Sequence, residues 1–156
     1  MGIDPVSLAA EISAAFDGVA REDGTTLHEG EGLDCRYSPE ELAEARKLDT
    51  DSRWQDVPDD WVAQNFSGLN FLNPKGLRYY LPVVMLWHFR HSDWSEPAAA
   101  DTLNSLIVHG DTELFDILTD AQRRATARWL FFFNSDGYEP ELRQEGIRKS
   151  MWGKYL

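Results

Sequence analysis

Several clusters in this chain carry side chains suited to chemistry. His88 and His91 stand three residues apart in "WHFRHSD", with Asp93 two positions further on. Residues at i and i+3 share a helix face, and zinc is held by histidine and carboxylate ligands at such spacing. A tetrahedral site needs further ligands, and the sequence offers only His28, His109 and scattered acids. It has no HExxH, no CxxC and no His-rich tract. The simpler reading is a partly buried imidazole at a helix end, where the C-terminal dipole favours its charged form. No metal and no other cofactor is expected.

Arg78, Tyr79 and Tyr80 open the apolar stretch "GLRYYLPVVMLWHFRH". Adjacent tyrosines can present one ring inward and one outward, the outer hydroxyl free for a partner. With His88 these residues define a small-ligand pocket or an enzyme site, which is the alternative reading of the chain. There is no GxGxxG, Walker A loop or GxSxG motif, and no catalytic residue is assigned. Paired acids such as Glu40-Glu41 and Asp59-Asp60 fall at expected helix starts, where the dipole favours them. Arg123, Arg124 and Arg128 form a basic patch on one helix and are expected to pair with acids of the same molecule. Cys35, the single cysteine, lies beside Asp34, a neighbour that raises a thiol pKa, and cannot form an internal disulfide.

Charge is distributed unevenly. Residues 1–70 hold 16 Asp/Glu against 5 Lys/Arg, and residues 71–156 hold 11 against 10, within a net charge of −12. Nucleic acid and anionic membrane both attract the opposite sign, so neither is an expected partner. An acidic half serves solubility or steers a basic protein. Residues 21–37, "REDGTTLHEGEGLDCRY", read as a long acidic loop, and within it Glu29, Glu31 and Asp34 are the expected partner-binding residues.

These groups must be positioned by helices. Asp4-Pro5 is a cap and first-turn proline for a helix with Leu8, Ile12 and Phe16 on one face, ending near Gly18. Ser38, Pro39 and Glu41 make a capping box for a helix carrying Leu42, Ala45 and Leu48, with Glu44 and Lys47 paired. A short helix spans about Pro58 to Gln64, with Trp61 packed inward. Asn73-Pro74 starts a single turn. Pro82 lacks an N–H and would break a helix interior, so the central helix is placed from near Leu81 to about His91 with Pro82 in its first turn. That helix is apolar on every side and belongs in the middle of the core, with Leu86 and Trp87 inaccessible. A further helix runs from about Pro97 or Ala98 to His109, with Leu103, Leu106 and Ile107 inward and Gly110 as its stop. Thr119 and Gln122 box the start of another, with Ala121, Ala125, Trp129 and Phe132 inward. Glu139-Pro140 opens the last, through Leu142, Ile147 and Met151. The expected fold is all-α: five to six helices in one domain over 1–156, with a minor hairpin at "NFSGLNFL".

The segment "FLNPKGLRYYLPVVML", residues 71–86, resembles the signature of an uncharacterised bacterial domain family of unknown function, FL-x-P-x-G-x-R-x-YLP-x-x-M. The matching positions are Phe71, Leu72, Pro74, Gly76, Arg78, Tyr80, Leu81, Pro82 and Met85. A weaker block resembles Leu118, Thr119 and Gln122, so the likeness spans about residues 54–135 and leaves out the acidic N-terminal third. It implies a small soluble bacterial protein and brings no activity or cofactor. No run approaches the 18 apolar residues of a membrane span, and the N-terminus lacks the basic region of a signal peptide, so the expected location is the cytoplasm. The expected function is binding and neutralising a basic protein, in the manner of an immunity protein against a toxin domain.

Overall fold

Asp4 accepts a hydrogen bond from the Ser7 amide at 2.8 Å and Pro5 takes the first helical position, which starts α1 (Pro5–Ala15) where the sequence places it. The computed structural model describes residues 2–91, 98–110 and 112–156. The expectations for Asp93 and for a helix start at Pro97 lie outside the described residues. Among those described, eight more α-helices follow: α2 (Leu27–Asp34), α3 (Pro39–Arg46), α4 (Asp59–Gln64), α5 (Pro74–Arg90), α6 (Ala98–His109), α7 (Glu113–Ile117), α8 (Asp120–Phe133) and α9 (Pro140–Lys149). Short 3-10 helices span Trp54–Asp56, Phe66–Phe71 and Gly153–Tyr155, and there is no strand among the described residues. The all-α class is as expected, but the helices outnumber the expected five to six. The hairpin expected at "NFSGLNFL" is instead the 3-10 helix Phe66–Phe71. The chain divides into two units, residues 1–17 with 118–156, and residues 18–117.

In the first unit α1 packs against α8, and α9 and the last 3-10 helix pack on α8 as well. Leu8, Ile12 and Phe16 are fully buried. The Thr119–Gln122 capping box is present, with the two reciprocal bonds at 3.2 and 3.0 Å. The buried stripe of α8 is Gln122, Ala125, Thr126, Trp129 and Leu130, with Ala127 buried beside it, and it includes the expected Ala125 and Trp129. Ala121 is exposed and Phe132 only half-buried, because the stripe starts at the capping glutamine. Arg128 lies 3.1 Å from Glu11, so one arginine of the basic patch does meet an acid of the N-terminal half. In α9 Ile147 is buried but Leu142 is exposed. Five residues at about 100° each put them far apart around the helix. The helix ends before Met151.

In the second unit α5 is central, contacted by α4, α6, α7 and the 3-10 helix Trp54–Asp56. It is one continuous helix from Pro74, with Pro82 inside it, which corrects the expected start near Leu81. An interior proline leaves the Arg78 carbonyl without its helical donor, a cost of about 3 kcal/mol. Burial offsets this: Tyr79, Tyr80, Leu81, Val83, Val84, Met85 and Trp87 are all within 3% of full burial, and each large apolar side chain contributes about 1.5–3 kcal/mol. Leu86, expected to be inaccessible, is only half-buried.

The expected loop over residues 21–37 contains α2. Thr26 and Glu29 form a capping box that starts it. Its glycines are there for close approach rather than turning: a Cβ on Gly30 would lie 2.5 Å from the Gly68 carbonyl oxygen, and one on Gly68 would lie 2.5 Å from the Glu31 nitrogen. In this way α2 lies directly against the 3-10 helix Phe66–Phe71. Ser38 and Glu41 box the start of α3 as expected, and Lys47 pairs with Glu44 at 2.7 Å. Leu48 projects outward rather than joining the face of Ala45.

Candidate functional site

The second unit holds two arrangements that bear on function: a buried polar network along α5, and an exposed surface on α2 and α3.

The network begins with the tyrosine pair. Both rings are buried, so the expectation of one outward ring with a free hydroxyl is corrected. The Tyr79 hydroxyl donates to Asp51 Oδ2. The Tyr80 hydroxyl accepts from the Leu27 amide at 3.0 Å and from Arg21 Nη1 at 3.3 Å. Arg21 also bonds Asp51 Oδ2 at 2.9 Å, with its guanidinium carbon 5.1 Å from the centre of the Tyr79 ring. Burial pushes both phenols well above their ordinary range; hydrogen bonding to Asp51 adds to this at Tyr79 and the charge of Asp49 at Tyr80. Asp51 Oδ1 and Arg21 Nε are buried with no hydrogen-bond partner. Two residues before Asp51, Asp49 Oδ1 lies 2.8 Å from His28 Nδ1, and Asp49 Oδ2 accepts from the His28 amide at 3.2 Å. The His28 ring meets Trp61 edge-on at 5.0 Å. Trp61 is half-buried.

The expected ligand-binding set is not brought together. Arg78 turns to Glu22, at 3.5 Å, while Tyr79 and Tyr80 are tied to Asp51, Arg21 and Leu27. His88 follows Tyr80 by eight residues, about 12 Å along the helix axis, and its ring lies 5.6 Å from that of Phe89. Burial holds the His88 imidazole below its ordinary pKa. His91 stacks on Trp87 at 4.8 Å and places Nε2 3.0 Å from Asp59. Among the described residues no group of three His, Cys, Asp or Glu side chains is arranged to hold a metal ion.

Sequence reasoning missed Arg21, Asp49 and Asp51 altogether. Acids are dense from 49 to 60, and no spacing separates the buried carboxylates of Asp49 and Asp51, 0% and 2% exposed, from Asp56 and Asp59 on the surface. His28 entered only as a spare metal ligand.

The three expected partner-binding acids have different surroundings. Glu29 Oε1 bonds the Thr26 amide and Arg46 Nη1, the latter at 2.5 Å. Glu31 accepts from the Ser67 hydroxyl at 2.7 Å. Asp34 is exposed. Close to it in the chain, Leu33 and Tyr37 are 39% and 45% exposed; Leu48, past the end of α3, is 56% exposed, and Phe66 and Phe71 are exposed at the two ends of the 3-10 helix on which α2 lies. Glu40, Glu41 and Glu44 are exposed on α3, with Arg36 and Lys47 as the exposed cations and Lys47 paired to Glu44. Cys35 is exposed at the end of α2.

No helix among the described residues is long and apolar enough to cross a membrane. No curated protein and no solved structure matches the chain. A family model does match, over residues 4–152, and so takes in the acidic N-terminal third that the signature segment left out. The chain belongs to this family, a family of unknown function designated DUF6714.

Proposed function

We infer that this is a cytoplasmic protein-binding module that neutralises a basic partner through the α2–α3 surface. The observation that carries the reading is the exposure of Leu33 and Tyr37 next to Asp34 in the chain, with Glu40 and Glu41 exposed at the start of α3 and Leu48 exposed past its end. Apolar side chains supply short-range binding energy, and an aromatic at the centre of a contact is a frequent anchor. Acids around them select a positively charged surface and speed its approach. Of the three acids expected from sequence, Asp34 suits this role best. Glu29 and Glu31 support α2 itself and act by holding the surface in shape.

The test is capture of partners from the native host with the wild-type chain and with Leu33→Asp and Tyr37→Asp variants. A single basic protein retained by the wild type and lost by both folded variants supports the reading. Retention of the same protein by both variants, or an acidic captured protein, contradicts it.

A further inference from the structure

His28 presents a different observation, independent of the partner surface. A carboxylate only accepts hydrogen bonds. Asp49 stands 2.8 Å from Nδ1, so Nδ1 is the donor, and a neutral ring then carries its lone pair on Nε2. The hydrogen bonds of His28 run through its amide and Nδ1, none among the described residues through Nε2, and the side chain keeps 17% exposure while the Asp49 carboxylate is wholly buried. Asp49 also accepts from the His28 amide, so ring and backbone are held by one carboxylate, and the Trp61 ring edge-on at 5.0 Å fixes the imidazole plane. The elements of a base oriented by a third group are present. His91 differs, because its Nε2 is the nitrogen that faces Asp59.

We propose that His28 is a nucleophilic imidazole that takes an acyl group on Nε2 from an activated ester, with Asp49 as its positioning residue. The Nε2 lone pair attacks the ester carbonyl carbon, and the bond from that carbon to the alcohol oxygen breaks, the alkoxide or aryloxide leaving with the electron pair. The ring is then an acylated imidazolium with its proton still on Nδ1, and the buried Asp49 carboxylate balances its charge. Water attacks the acyl carbon, the carbon–Nε2 bond breaks, and its electron pair returns to Nε2. The water's oxygen and one hydrogen become part of the carboxylic acid, and its other hydrogen, as a proton, joins the departed oxyanion.

The experiment uses the full chain with p-nitrophenyl acetate at neutral pH, following nitrophenolate release and mapping the acetyl group by peptide mass spectrometry. The expected result is protein-dependent release, acetyl transiently on His28, and loss of both in His28→Gln. Asp49→Asn lowers the release by about tenfold or more, and His109→Gln leaves it unchanged. Nitrogen-15 spectra of the wild type should show His28 protonated on Nδ1 and bare on Nε2. Release at the wild-type rate by His28→Gln, acetyl mapped only to other residues, or a His28 ring protonated on Nε2 would each overturn the proposal. The peptide map and the spectra need only the wild-type chain, so they decide the matter even where a variant fails to fold.

Discussion

At the scale of single residues, the second unit is held by polar groups that are buried in pairs. Tyr79 gives its hydroxyl to Asp51, and Asp51 keeps a second oxygen without any partner. Tyr79→Phe removes one of the few donors to that carboxylate. The expected loss is about 1–3 kcal/mol, read from urea denaturation. The same network sets an alkaline limit. Burial raises both phenol pKa values, so their neutral forms are favoured in the fold. This contribution is complete below the unfolded value of about 10 and is lost as pH rises above it, since the unfolded chain ionises first. The urea midpoint should fall more steeply above that pH in the wild type than in Tyr79→Phe; equal slopes would show that the buried phenol has no such role. None of this was legible in the sequence. "YY" reads as an amphipathic pair, and only the fold brings Arg21, Asp49 and Asp51 against it.

At the scale of elements, capping chemistry was the most readable feature. Asp4, Ser38, Asn73 and Thr119 all cap where their spacing indicates, because a cap is a local bond over three residues. Thr26 and Glu29 obey the same rule, and α2 was obscured by Gly30 and Gly32, which weaken a helix in isolation. What keeps them is tertiary: the backbone of Gly68 lies where a Cβ of Gly30 would be. Gly30→Ala, a gain in helix propensity, is therefore expected to destabilise by about 1–3 kcal/mol through overpacking. Thr26→Ala should cost about 0.5–2 kcal/mol. A stabilising Gly30→Ala in thermal or urea melts would contradict the close approach. Pro82 shows the opposite error. A local rule placed it in a first turn, and the burial of the turn before it extends the helix through it. Pro82→Ala restores a donor to the Arg78 carbonyl at the expense of unfolded-state stiffness of about 0.4–1 kcal/mol. A net gain of about 2 kcal/mol is expected in urea melts, the interior-proline cost of about 3 kcal/mol less that stiffness. A net loss would mean the proline ring itself is needed in the core.

At the scale of the molecule, the charge asymmetry between the two halves of the sequence recurs between the two units. Residues 18–117 hold 19 Asp/Glu against 8 Lys/Arg, whereas the unit of residues 1–17 and 118–156 holds 8 against 7. Composition made the excess legible. Its division between structural and exposed acids was not, because Glu29, Glu31, Asp49 and Asp51 are spoken for by partners distant in sequence. The exposed acids act over a Debye length of about 8–10 Å, while the apolar contacts act only on touching. The central claim is that the α2–α3 surface draws in a basic protein, and association kinetics across a salt series test it most directly. With the captured partner immobilised, the wild-type on-rate should fall steeply as salt rises, and Asp34→Lys with Glu40→Lys should lower the on-rate at low salt while leaving the off-rate nearly unchanged. An on-rate indifferent to salt, or unaltered by the two reversals, would contradict the account.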